Sequence, residues 1–225
     1  MFSEMFYKLW DQGIIQLGIW ETIYMTLIAT AISYLLGLPL GLLLAATDEG
    51  GIHPMRWFHR ILGFIVNVFR SMPFIILMVA MLPVAKLVVG TSLGNPAMIV
   101  TLVIAATPYV ARMVESSIKE VDHGVIEAAQ SMGTSNFQLV WKVLIPESKP
   151  SLIVGAVISI VTVLGYSAMA GTVGGGGLGM IAITYGHQRS HPDIIWISVA
   201  LTIIIVQIIQ EIGMYIAHRT DKRTR

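Results

Sequence analysis

Apolar residues in this chain fall in long unbroken stretches, neither alternating nor striped. Five segments stand out: 20–46, 59–88, 96–114, 149–171 and 193–217. A helix crossing about 30 Å of hydrocarbon needs about 20 apolar residues, so each segment is predicted to be a membrane span. The first carries Gly37, Pro39 and Gly41 near its end, a spacing that suits close helix packing. The second is interrupted at Arg70-Ser71-Met72-Pro73. Between the third and fourth lies a polar island, 115–148, that breaks the apolar pattern. The pattern gives an all-α integral membrane protein with 1–225 as a single transmembrane domain; no repeat or linker is visible.

The island has helical punctuation. Asp122 is suited to cap a short helix running through Ala128, Ala129 and Met132, and Gly133 is suited to the position just past its end. Ser135 and Gln138 have capping-box spacing for a second helix. That helix would set Phe137, Val140, Trp141 and Leu144 on one apolar stripe. Pro146 is predicted to end it, because the residue before a proline avoids the helical region. The stripe needs cover, either from a binding partner or from the ends of the chain's own spans.

Composition agrees with a lipid solvent: 55% of residues are hydrophobic, 12% charged, and the mean hydropathy is +0.76. A soluble protein carries about 25% charged residues. The absence of Cys removes disulfides, thiolate metal sites and a Cys nucleophile. The charges are scattered and end-loaded, so the net +1 points to no nucleic-acid partner. They do give an orientation. Arg56, Arg60, Arg112, Lys119, Lys142, Lys149, Arg219, Lys222, Arg223 and Arg225 fall on one set of loops and ends, which is ten. Lys8, Lys86 and Arg189 fall on the other, which is three. The positive-inside rule puts 115–148 and the tail 218–225 in the cytoplasm. Five spans then leave the N-terminus outside. Glu4, Lys8 and Asp11, followed by a long apolar run, do not resemble a cleavable signal, so the first span is expected to be retained.

Candidate chemistry is sparse. No G-x-x-x-x-G-K-[ST] exists, and no Lys is followed by Ser or Thr. The run Gly174-Gly175-Gly176-Gly177-Leu178-Gly179 lacks the Lys and hydroxyl of a phosphate cradle. The chain therefore hydrolyses no ATP itself and is not expected to be an enzyme. Arg70 is costly inside a span. It either pairs with a helix carbonyl, Glu115 or Glu211, or serves a transport pathway with Pro73. Segment 165–179 is rich in small residues, with Ser167/Gly171 and Gly171/Gly175 at small-x-x-x-small spacing. It reads as packing plus an exit loop, or as a gate in which Tyr166 and Met169 are the bulky side chains beside Ser167. His187 and His191 lie four apart, but Pro192 follows and no third ligand is near, so they read as an external turn.

Glu127-Ala128-Ala129, three residues, Gly133, nine residues, Val143-Leu144-Ile145-Pro146 resembles the docking loop of ABC-importer permeases. Further stretches are similar to the five-span methionine-uptake permeases, which have the type I importer fold. They are Trp20-Glu21-Thr22 at the opening of the first span, Phe69-Arg70-Ser71-Met72-Pro73-Phe74, Val89-Gly90-Thr91-Ser92, Ala111-Arg112-Met113-Val114-Glu115 and Gly165-Tyr166-Ser167-Ala168-Met169. The resemblance implies a multi-pass protein of the bacterial inner membrane. It implies coupling to an ATPase through Glu127, Ala128, Ala129, Met132, Gly133, Phe137, Trp141 and Pro146, and a pathway or gate at Arg70, Pro73, Tyr166, Ser167 and Met169. It further implies a homodimer, two cytoplasmic ABC ATPase subunits that hold the ATP and Mg, and an external methionine-binding lipoprotein. This chain would hold no cofactor. The substrate implied is methionine, the L form and also the D form, carried by alternating access. The alternatives are an ABC permease for another amino acid or small solute, or a secondary transporter or channel acting alone.

Overall fold

The computed structural model describes residues 4–220, and every regular element among them is helical. Lys222, Arg223 and Arg225 of the basic tail lie outside the described residues. A short amphipathic helix, α1 (Glu4–Asp11), precedes the first apolar segment; it buries Leu9 and exposes Tyr7 and Trp10. Then come α2 (Ile14–Thr47), α3 (Arg56–Ser71), α4 (Phe74–Val89) and α5 (Asn95–Lys119). The island holds α6 (His123–Ser131) and α7 (Asn136–Leu139), followed by a π-helical turn, Val140–Leu144. The chain closes with α8 (Ile145–Ala170), the short α9 (Gly177–Ile181) and α10 (Pro192–Thr220).

Among the described residues four helices are long and apolar enough to cross a bilayer, namely α2, α5, the continuous helix Asn136–Val173 that contains α8, and α10. At 1.5 Å per residue α2 reaches about 51 Å, well beyond the hydrocarbon thickness. The expected second span is a bent pair: α3 and α4 are 16 residues each and meet at 109°. Each alone is about 24 Å long, short of a crossing, so the pair is either one broken span, which gives five, or a re-entrant pair, which leaves four. Pro73, with extended backbone, is the N-cap of α4 and makes the break. Arg70 lies exposed in the last turn of α3, beside the break, where a cation complements the helix dipole.

The island is smaller than 115–148. α5 continues to Lys119 because the helical period is still buried there, through Ser117 and Ile118. The helix does not end at Pro146 either. The turn before it is π-helical, with the Ile145 N–H reaching the Val140 carbonyl, and the helix runs on through the proline.

The described residues form two compact units. The first comprises 4–32, 72–106 and 160–210, with a core of Leu9, Ile15, Leu164, Leu178, Ile181 and Ile194. Its glycine run does cradle an anion, the chain's own Glu21. Glu21 accepts from the Gly177 N–H at 2.8 Å and from Asn95 Nδ2 at 2.7 Å. Asn95 Oδ1 accepts from the Gly176 N–H at 2.7 Å, and Thr22 Oγ1 from the Leu178 N–H at 2.9 Å. Gly171 and Gly179 let 168–171 lie directly against 179–180, so the small residues serve backbone packing.

The second unit comprises 33–71, 107–159 and 211–220, with a core of Val110, Val114, Ile118, Val121, Leu144 and Leu152. Gly37 and Gly41 bring α2 against α5, as their spacing suggested. A Cβ at Gly37 would lie 2.7 Å from Val110 Cγ1, and one at Gly41 2.6 Å from Val114 Cβ.

Candidate functional site

The island's caps form as the sequence indicates. Asp122 accepts from the Gly124 N–H at 2.7 Å, and Ser135 and Gln138 complete a reciprocal capping box. Gly133, at φ +78°, turns the chain between α6 and α7. A side chain there would cost about 1–2 kcal/mol. The apolar stripe divides, because the π turn rotates the residues beyond it relative to those before. Leu139 and Leu144 are buried and Val140 packs against the same core, while Phe137 (73% exposed) and Trp141 (55%) face outward with ring centroids 6.2 Å apart. On α6, Ala129 is buried, while Glu127, Ala128 and Met132 are exposed. An open groove of about 480 Å³ separates α6 from the π turn, lined by Val125, Ala128, Ala129, Met132, Lys142 and Val143. Pro146 is exposed at the start of α8. The site is thus a bent helical platform that presents two aromatic rings, one methionine and one carboxylate outward, with its other face on the core.

Within the first unit, Tyr166 is half-buried and stacks on Phe74, centroids 4.3 Å apart and planes 4° apart. Ser167 is buried and donates to the Leu164 carbonyl. Met169 is 46% exposed.

A charged cluster that sequence spacing alone does not assemble lies in the second unit. Arg112 donates to Glu115 at 2.6 Å, to the Gly63 carbonyl and to Asn67 Oδ1, both at 3.1 Å. Lys119 Nζ lies 2.8 Å from Glu115 and 2.6 Å from Asp48. His59 approaches Asp48 at 3.6 Å and bonds the Leu44 carbonyl through Nδ1. Glu115 is only 4% exposed, so its charge requires these cations. The hydrogen bond from Lys119 holds the Asp48 carboxyl below its ordinary 3.8. Its stabilising contribution is therefore complete above that value and fades as pH falls through the lowered one. Asp48, His59 and Glu115 are the one group among the described residues close enough to share a metal ion, and the Lys119 ammonium bridges its two carboxylates. The i, i+3 and i, i+4 spacing of Arg112, Glu115 and Lys119 was legible as a helix-face motif; the reach of Asp48 to it was not.

Residues 37–225 match the family described as the binding-protein-dependent transport system inner membrane component. The chain belongs to that family. It is the inner-membrane permease component of an ABC transport system, with the type I importer fold. It is 49% identical over 204 residues, 91% of each chain, to the probable D-methionine transport system permease protein MetI of Vibrio cholerae. It is 43% identical over 181 residues, 80% of this chain and 82% of the relative, to the methionine import system permease protein MetP of Bacillus subtilis. Among solved structures it is similar to a chain of the inward-facing MetNI methionine ABC transporter. The TM-score is 0.92 at 41% identity, covering 98% of this chain and 100% of that one.

Proposed function

We propose that this permease carries methionine, the L form and also the D form, as a homodimer working with two cytoplasmic ATPase subunits and an external methionine-binding lipoprotein. The whole chain acts as one permease domain. The observation that carries the reading is the exposed row Glu127, Met132, Phe137 and Trp141 on a capped, bent platform. Large apolar side chains outside the bilayer need cover, and an ATPase surface supplies it. The methionine permeases among the relatives support the substrate assignment.

In mechanism, the partner binds ATP and Mg; this chain contributes a lever. Phe137 and Trp141 seat in the partner and Glu127 makes the polar contact. The π turn carries the helix past Pro146, so α7 and α8 are one continuous helix and displacement of the platform passes directly into a span. Closing of the ATPase pair opens the outer side, the lipoprotein releases methionine there, and hydrolysis restores the inward-facing form. Arg70, Pro73, Tyr166, Ser167 and Met169 belong to the pathway and its gate, with Tyr166 held in place by Phe74.

The test is uptake of labelled methionine by cells lacking their own methionine importers, expressing this chain with and without its ATPase and binding protein. Uptake that needs all three and is competed only by methionine is expected. Uptake without the ATPase would overturn the ABC mechanism, and transport of another solute alone would replace the substrate. Glu127→Lys is expected to abolish uptake while leaving the protein in the membrane.

A further inference from the structure

Between the last turn of α5 and the cap of α6 the chain has only Glu120 and Val121. So short a connection transmits force only if the helix end before it is held. On one side Val121 packs with Ile118 and Leu144. On the other, packing is incomplete: a cleft of about 230 Å³ lies beside α6, lined by Asp48, Gly51, Ile52, Lys119, His123 and Ile126. What crosses this side is charge. Lys119, the last residue of α5, ties the turn after α2, through Asp48, to Glu115 one helical turn back. Glu115 is bound in turn to Arg112, which grips α3 at Gly63 and Asn67. His59 of α3 closes the ring onto Asp48 and the Leu44 carbonyl of α2. One ammonium thus joins α5 to the turn after α2 at the point where the platform departs, and Arg112 and His59 extend the network to α3.

We infer that Lys119 is a positioning residue for the docking platform, fixing the origin of α6 so that a push on α6 moves α2, α3 and α5 together. This rests on the proposed coupling to an ATPase, but the fixing of α6 is measurable without transport. Two quantities are read on the complete transporter in liposomes: methionine imported per ATP hydrolysed, and hydrogen exchange across 120–132. Lys119→Met keeps most of the apolar stem and removes the charge. It is expected to lower import per ATP severalfold and to speed exchange in that segment roughly tenfold, the size of a lost charge-assisted bond. Lys119→Arg is expected to restore both. Asp48→Asn, which keeps the side chain's shape in a half-buried turn, is the second variant should Lys119→Met fail to assemble, and is expected to speed exchange in the same segment. With Lys119→Met it is expected to add nothing, since neighbours acting through one contact are non-additive. Unchanged exchange and coupling in Lys119→Met, or a loss that Lys119→Arg does not relieve, would overturn the inference. If the wild-type complex imports no methionine with ATP, the transport reading fails, and the exchange data still decide whether Lys119 fixes α6.

Discussion

Gly176 has no room for a methyl group, because a Cβ there would overlap the Glu21 carboxylate. Gly176→Ala is therefore expected to break the clip formed by Glu21, Asn95 and the two glycine amides, bonds of about 1.5–3 kcal/mol each where a charge takes part. The apparent Tm of the purified protein should fall by several degrees. Glu21→Gln should fall in the same direction, because an amide offers one acceptor oxygen where the carboxylate uses two. An unchanged Tm in both variants would make the clip incidental. The glycine run was visible in the sequence; its anion was not, since Glu21 lies 156 residues before the amide it accepts from. The same limit hid the Asp48–Lys119 pair, whereas Arg112, Glu115 and Lys119 share one helix face and so carry their relation in their spacing.

At the scale of elements, local chemistry was read well where it acts within four residues. The caps at Asp122 and Ser135 and the bend at Gly133 form as spelled. Pro146 misled because a helix runs on through a proline where the turn before it widens, and Val140–Leu144 is such a π turn. That turn also moved Phe137 and Trp141 out of register with Leu144, which a fixed 3.6 period could not show. Gly133→Ala is expected to destabilise the bend by about 1–2 kcal/mol, and Gly133→Asn by less, since asparagine tolerates a left-handed backbone better. Recovery of the ATPase with the purified permease would register both, with the alanine variant recovering less. Replacing both Phe137 and Trp141 by Ala should leave the apparent Tm within a few degrees, because the rings are exposed, yet sharply reduce the ATPase recovered. A large loss of Tm would instead place them in the core.

For the whole molecule the five-segment pattern named the fold class and marked the interruption of the second segment at Arg70–Pro73, but not its angle. Composition marks where a chain is apolar and cannot say that a proline turns it by 109°. Orientation rests on ten basic residues against three, a bias each of whose members is worth little alone. The chain has no Cys, so single introduced thiols report position without background. Gln130, exposed on α6, and Arg189, exposed in the turn before α10, lie on opposite sides of the membrane in this orientation. In intact cells a membrane-impermeant thiol reagent added outside should label Arg189→Cys and spare Gln130→Cys. In inverted vesicles the pattern should reverse. Labelling of both from one side would mean that α8 does not cross the membrane. Reversal of both patterns would place the platform on the outer side, where no ATPase could reach it.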